Sequence, residues 1–148
     1  MKIVIQRVRE ASVTVDETVT GAIGHGLLIL FGAEDGDCNE NTSWLVNKVV
    51  NLRIFNDENG KMNLSVLDVN GSILVVSQFT LLGDCRKGRR PSFIKAASPS
   101  EANRLYEQFC QQVRDAGIPC EQGIFAADMK VRLLNDGPVT LIIDTRDA

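Results

Sequence analysis

The stretch from Cys85 to Ser100 concentrates positive charge on a chain that is acidic overall. It contains five basic residues and no acidic one, whereas the complete sequence carries a net charge of −3. A focused basic segment on an acidic body favours docking of a phosphate backbone. The alternative from the residues alone is a solvated basic loop without a partner. The candidate phosphate contacts are Arg86, Lys87, Arg89 and Arg90.

A second candidate site lies immediately before the basic segment, where the sequence reads Ser77-Gln78-Phe79-Thr80-Leu81. A buried strand is predicted to end here, and backbone N–H groups at a strand end can bind an oxyanion. The Thr80 hydroxyl needs a neighbouring base to act as a nucleophile. The sole histidine, His25, lies between two glycines in a predicted turn. The alternative is that these hydroxyls only bond to nearby backbone.

The third candidate is the segment from Asn135 to Thr140, which contains Asp136-Gly137-Pro138. Between two predicted strands, this tripeptide indicates a turn. A cis peptide precedes only about 5–6% of prolines in folded proteins, and the composition does not decide the isomer here. A cis Gly137-Pro138 bond would direct its carbonyl groups differently from an ordinary turn.

Four scattered cysteines and one histidine argue against a metal centre. No two cysteines have C-x-x-C spacing, so neither a zinc set nor a disulfide framework is predicted. We expect reduced thiols, no metal and no cofactor. No apolar run is long enough for a bilayer span, and residues 1–9 lack a signal-peptide core. These features predict a cytoplasmic protein without a membrane partner.

The elements that position these sites are mainly strands. Hydrophobic patterning predicts strands over residues 2–9, 12–15, 18–23, 27–31, 53–55, 72–78, 120–125, 130–134 and 139–145. One helix is predicted over 38–51, with Asp37 as its N-cap. A second follows Ser98 and stops at Gly117, with Glu101 completing a capping box. Residues 78–98 form a long irregular loop, which in a compact domain is usually functional.

With 148 residues, 44% of them hydrophobic, the chain predicts one domain over residues 1–148. Strands dominate, and the two main helices do not alternate regularly with them. The predicted class is therefore α+β, with a mostly antiparallel, barrel-like sheet.

Four segments together resemble the bacterial-type D-aminoacyl-tRNA deacylases, historically called D-tyrosyl-tRNA deacylases. They are the opening MKIVIQRV, SQFTL at 77–81, GDCRKGRRPSF at 83–93 and NDGPVT at 135–140. The order and spacing match the family over residues 1–144. The resemblance implies hydrolysis of the ester between a D-amino acid and the tRNA 3′-terminal adenosine. It also implies activity on glycyl-tRNA mischarged on the tRNA for alanine.

The resemblance further implies a homodimer with its active site at the subunit interface. Gly137 and Pro138 would enter the partner's pocket as a Gly-cis-Pro element that leaves no room for an L side chain, and Arg7 would hold that element. Ser77, Gln78, Phe79 and Thr80 would line the pocket around the ester. The basic loop would contact tRNA, and no DNA partner is expected.

Two questions stay open at this point. Thr80 is either a nucleophile that forms an acyl-enzyme or a structural residue, with the ribose 2′-OH assisting water. The absence of a visible base favours the second. The rival functions are a non-catalytic RNA-binding module and an esterase for small metabolites. The lack of an aromatic stacking motif argues against the first, and the basic segment against the second.

Overall fold

Two neighbouring strands in the middle of the sheet are buried on both faces, which explains their continuous apolar sequences. The computed structural model describes residues 1–148. In β3 (Gly26–Gly32) and β6 (Ser72–Ser77), alternate residues face either the helices or the inside of a curved sheet. Since both faces exclude water, no polar alternation is needed.

The main sheet has six strands and follows the order β2-β1-β3-β6-β7, with β8 on the other edge of β1. The remaining strands of this sheet are β1 (Lys2–Val15), β2 (Thr18–Ile23), β7 (Cys120–Gln122) and β8 (Lys130–Asp144). The pairs β3–β6 and β6–β7 are parallel, and the other pairs are antiparallel. A separate ribbon pairs β4 (Phe55–Asn56) with β5 (Met62–Leu64).

The sheet is nearly closed into a barrel because β2 approaches β7. A Cβ added at Gly21 would lie 2.6 Å from the carbonyl oxygen of Gln122. The predicted α+β, barrel-like class is therefore confirmed, although the centre of the sheet is parallel. Neither helix has the length and apolar character of a membrane span.

Two helices cover one face of the sheet. They are α1 (Asn39–Asn51) and α2 (Pro99–Asp115). The apolar stripe of α2 is buried, with the Phe109 ring 5.3 Å from that of Phe31 in β3. Ser98 caps α2 by accepting a hydrogen bond from the Glu101 backbone N–H at 3.4 Å. That cap was predicted, but the Glu101 carboxylate bonds to Arg104 instead of completing the capping box.

Several sequence predictions of boundaries are wrong. Residues 2–9 and 12–15 form one strand, and residues 130–134 and 139–145 also belong to one strand that ends at Asp144. Cys38, not Asp37, is the N-cap of α1. The reason is long-range: Asp37 receives hydrogen bonds from the Met1 ammonium at 2.8 Å and the Glu34 N–H at 2.7 Å. β5 was not predicted, and β7 ends at Gln122 rather than at 125.

Candidate active site

The carboxyl end of β6 presents two backbone N–H groups that have no hydrogen-bond partner within the chain. After Ser77, Gln78 bonds to the Phe31 carbonyl at 2.7 Å and the chain enters a 3₁₀ helix over Phe79–Leu82. The first N–H groups of a helix lack intrahelical acceptors. Those of Phe79 and Thr80 donate to no other group of the protein. They are therefore available to an anionic or carbonyl oxygen.

Ser77, Gln78 and Phe79 at this strand end line a cleft of about 660 Å³, within the usual size range of a small-ligand site. Thr80 follows Phe79 but is not itself one of the lining residues. Eleven of the sixteen lining residues of the cleft are hydrophobic. The Phe79 ring is 55% exposed and packs edge to face against Phe93, with ring centroids 5.1 Å apart. Such a wall suits a flat aromatic group such as a nucleobase.

Part of the cleft wall was missed by the sequence analysis. Phe125, Ala126, Met129 and Val131 line it, together with the start of α2. The sequence between β7 and β8 gave no usable signal, because its apolar residues resemble an ordinary strand ending in the core. Ala126 has a positive φ of 62°, which shows that the chain turns tightly here.

Thr80 has no acid–base partner. Its hydroxyl oxygen accepts a hydrogen bond from the Gln78 side-chain amide, and no carboxylate, imidazole or amine bonds to it. His25 is exposed beside Gly26, which pairs with Ser72 at the opposite end of β6 from Ser77. The five residue steps from Ser72 to Ser77 span about 17 Å. The geometry therefore offers Thr80 no general base within this chain.

Arg7 is a buried arginine whose side chain reaches the third candidate segment. It shares a face of β1 with Ile3 and Ile5, and only 6% of it is exposed. A buried charge must be hydrogen-bonded to be tolerated. Arg7 Nε donates to the Asp136 carbonyl at 3.1 Å, and Nη1 donates to the Ile54 carbonyl at 2.7 Å. The guanidinium thus ties the Asp136 backbone to the chain before β4.

Residues 136–139 form an irregularity inside β8 and not the predicted turn between two strands. Gln6 pairs with Thr140 and Val8 with Asn135, so the intervening residues bulge opposite Arg7. The Asn135 side-chain amide bridges the bulge by donating to the carbonyls of Arg7 and Val139, at 3.0 and 3.1 Å. The Gly137-Pro138 peptide is cis.

The structure does not bring the bulge and the cleft together within one chain. Ser77 belongs to a row of paired residues that passes through Phe31 and Ile3 to Ile143. The bulge lies opposite Arg7, four residues farther along β1. At about 3.3 Å per residue and 4.8 Å per strand, the two motifs are separated by about 13 Å along the strands and three strands across.

The basic loop is closed by a backbone pair between Asp84 and Ser92, with N···O distances of 2.8 and 3.0 Å. Arg86 folds back onto Asp84, with Nε 2.9 Å from Oδ1, and this contact holds the pKa of Asp84 far below its usual range. The positive charge of Arg86 is therefore largely neutralised by Asp84. The side chains of the other three predicted contacts are exposed and form no ion pair: Lys87, Arg89 and Arg90.

No three His, Cys, Asp or Glu side chains converge in an arrangement suited to a metal ion. The groups that this site offers are backbone donors and an apolar cleft. Such a site can position an already activated ester and stabilise the oxyanion formed on hydrolysis.

Comparisons with known proteins show the family to which the chain belongs. A family described as D-Tyr-tRNA(Tyr) deacylase matches residues 4–144. A curated protein from Geobacter sulfurreducens, named D-aminoacyl-tRNA deacylase, is 60% identical over 146 residues, which cover 99% of this chain and 96% of that protein.

Two solved structures share the fold. One, named c-Myc DNA Unwinding Element Binding Protein, has a TM-score of 0.92 and 41% identity, covering 97% of this chain and 98% of its own. The other, described as a probable eukaryotic D-amino acid tRNA deacylase, has a TM-score of 0.81 and 20% identity, covering 96% and 97%. At that identity, the second comparison bears on the fold alone.

Proposed function

Because this chain belongs to the D-Tyr-tRNA(Tyr) deacylase family, we propose that it releases D-amino acids from the 3′-terminal adenosine of tRNA. It is a hydrolase that acts on the aminoacyl-tRNA ester bond. The single observation that carries the proposal is the pair of unpartnered N–H groups of Phe79 and Thr80 at the strand end that borders an apolar cleft of small-ligand size. We place this reaction in the cytoplasm.

The terminal adenosine occupies the cleft, with its base against Phe79 and Phe125. The ester carbonyl then points at the N–H groups of Phe79 and Thr80, which stabilise the oxyanion as water attacks. The neighbouring ribose 2′-OH assists that water. Ser77 and Gln78 shape the cleft floor, and Thr80 is structural. An aminoacyl ester is already activated, so positioning and oxyanion binding supply the catalysis.

The pocket is completed by a second copy of the chain. Within one chain the Gly137-Pro138 bulge is too far from the cleft to contact a substrate there. β8 is paired only on its β1 side, and it exposes Leu134, Leu141 and Ile142, the last at 70%. An unpaired edge with exposed apolar side chains favours association. In a twofold dimer, each bulge enters the partner's cleft and two equivalent sites result.

The bulge acts as a chiral filter. Its backbone carbonyls face the α-amino group of the substrate, and the remaining space admits a D side chain and excludes an L side chain. Rejection by a steric clash does not require recognition of the side chain itself. Glycine has no side chain to exclude, so the same filter accepts glycyl-tRNA, including glycine mischarged on the tRNA for alanine.

The test is deacylation of one tRNA charged in parallel with D-tyrosine and L-tyrosine. Release of the D form with the L form spared supports both the reaction and the filter. Equal hydrolysis of the two would exclude the filter. Binding of tRNA without hydrolysis of either ester would leave an RNA-binding module as the function.

The exposed side chains of Lys87, Arg89 and Arg90 contact acceptor-arm phosphates, with Arg86 held beside them by Asp84. An R89A/R90A variant should bind tRNA more weakly and with a salt slope reduced by roughly 1–2. K48A/K61A, with the same change of charge at distant exposed positions, is the control. An unchanged slope excludes this role, and equal competition by duplex DNA would contradict the expected preference for tRNA.

A further inference from the structure

A polar groove, separate from the apolar cleft, lies at the other end of the 3₁₀ helix. We name it the acceptor groove. It has a volume of about 250 Å³. Its charged lining comes from both ends of the chain and from two loops: Lys2, Glu34, Asp84, Arg86, Lys95 and Arg146. Four cations therefore surround it, against two carboxylates.

The groove and the cleft share two walls. The 3₁₀ helix places Phe79 in the cleft and Leu81 and Leu82 in the groove. The loop before α2 does the same, with Ala96 in the cleft and Lys95 in the groove. An RNA strand whose 3′ end lies in the cleft can therefore cross either the 3₁₀ helix or the loop before α2. It then reaches the groove within a few atoms of its own backbone.

The cations of the groove differ in how far they are already neutralised. Arg86 is bound to Asp84. Arg146 is bound to Asp144 and lies 3.7 Å from Glu34. Lys2 has one distant partner, with Nζ 3.9 Å from Asp144.

Lys95 is the exception. It is exposed, and its ammonium has no ion pair and no hydrogen bond within the protein. Its backbone is fixed, however, because its carbonyl accepts from the Asp35 N–H at 2.9 Å. The groove thus contains an ammonium without an ion pair or hydrogen bond on an anchored main chain, and its charge contributes only weakly to the lowered pKa of Asp84.

We propose that the acceptor groove binds the phosphodiester that precedes the terminal adenosine, with Lys95 as the principal contact and Lys2 and Arg146 as its flank. This inference rests on the proposed function, because it requires the adenosine to occupy the cleft. A phosphodiester bears one negative charge, which matches the one cation that lacks an internal partner. The contact is independent of base identity, so it serves many tRNAs equally.

The experiment compares two substrates that differ in this phosphate. D-Tyrosyl-tRNA contains it, whereas 3′-O-D-tyrosyl-adenosine does not. In a K95Q variant, kcat/KM for the tRNA should fall about tenfold at low salt, the effect of about one charge-assisted contact. The value for the adenosine ester should be unchanged. The salt slope of tRNA binding should decrease by about 0.7–1.

Two further variants serve as controls. K95R retains the charge and should recover most of the tRNA activity. K61Q removes a charge from the exposed β4–β5 turn and should change neither substrate's kcat/KM. Because Lys95 has no internal partner, K95Q should unfold at the wild-type temperature.

An equal loss on both esters would overturn the proposal, since the phosphate would then not be the group recognised. An effect no larger than that of K61Q would also overturn it. If the wild-type protein cleaves neither ester, the proposed function fails. In that event, an unchanged affinity of K95Q for uncharged tRNA would independently reject the groove, and a weakened affinity would support it.

Discussion

The cleft end of β6 and the bulge in β8 differ in whether their backbone polar groups have hydrogen-bond partners within the chain. At the cleft, the N–H groups of Phe79 and Thr80 are left without partners. At the bulge, the Asp136 carbonyl accepts a hydrogen bond from the Arg7 side chain and the Val139 carbonyl accepts one from the Asn135 side chain. The first region is prepared to receive a group from outside, and the second is held in one shape by the rest of the chain.

Under the proposed function, this contrast would separate substrate binding at the cleft from rejection of the L enantiomer at the bulge. A region that binds substrate needs free donors and an accessible apolar wall. A region that rejects the wrong enantiomer must not yield when the wrong substrate presses against it, so its supports have to be buried and numerous. Arg7 meets that requirement because only 6% of it is exposed.

The largest expected effect comes from weakening the support of the bulge. An R7K variant cannot reach both the Asp136 and Ile54 carbonyls, because an ammonium lacks the guanidinium fork. We expect a loss of about 2 kcal/mol in unfolding free energy and about a 100-fold loss in kcat/KM on D-tyrosyl-tRNA. Urea unfolding and single-turnover deacylation measure the two.

The neighbouring Arg9 provides the matched control. Its side chain is 68% exposed and its Nε lies 3.3 Å from Asp136 Oδ2. Exposed ion pairs contribute about 0–1 kcal/mol, so R9K should change activity by less than about twofold. Similar losses in R7K and R9K would show that burial of the support does not matter.

A smaller effect is expected from crowding the bulge itself. Gly137 has a φ of +124°, and an added Cβ would lie 2.8 Å from Arg7 Nη2 and 2.9 Å from Val139 Cγ2. In G137A the bulge must shift, so D-tyrosyl-tRNA activity should fall about 30-fold and the D-to-L ratio should narrow. G60A also has a positive φ but open space around it, and it should retain wild-type activity with a small stability loss.

At the cleft, side-chain and backbone roles can be separated. F79L removes the aromatic wall but retains the Phe79 N–H. Stacking of a base is worth about 1–3 kcal/mol, so KM should rise about tenfold with kcat nearly constant. M62A, at an exposed apolar residue of β5, is the control. A fall in kcat at constant KM would show that the ring acts on the chemical step instead.

The Asp144–Arg146 pair tests the effect of burial on stability, because Arg146 is exposed whereas Arg7 is buried. Arg146 is 56% exposed, and it lowers the pKa of Asp144 to about 2 from the usual 3.8. The pair therefore stabilises the folded state above pH 4, and this contribution is lost as the pH falls through 2. D144N should cost about 1 kcal/mol at pH 7 and progressively less between pH 4 and pH 2, as measured by urea unfolding.

The smallest effect is expected from T80A. Thr80 has no base hydrogen-bonded to it, and its hydroxyl bonds only to the Gln78 side-chain amide. The variant should retain kcat within about threefold, because the backbone N–H of residue 80 is preserved. A roughly 1,000-fold loss of kcat in a folded T80A protein would establish the alternative in which the Thr80 side chain forms an acyl-enzyme.

Local signals made α2 and the buried strands predictable. Ser98, Pro99 and the apolar stripe lie within a few turns of one another, and the sequence alone predicted the helix they form. The residues of SQFTL and NDGPVT were also identified from the sequence. Their roles as cleft end and bulge still depend on the proposed function.

Features that depend on distant parts of the chain were not predictable. Aspartate is a common N-cap residue, but the Asp37 carboxylate accepts a hydrogen bond from the Met1 ammonium instead. Residues 9 and 10 are polar and exposed, and this hid the continuity of β1. The cleft wall at Phe125 and Met129, and the wide separation of the two motifs, both follow from sheet register. No local pattern encodes that register.

The pairing of β1 with β8 has a consequence for the order of events during synthesis. One edge of β1 pairs along most of its length with residues 130–144, which are synthesised long after it. That edge therefore stays unpaired until β8 has been made, although β2 and β3 can pair with the other edge much earlier. Contacts so distant in sequence also close slowly. We expect a chain stopped before residue 130 to remain a substrate for chaperones and proteases.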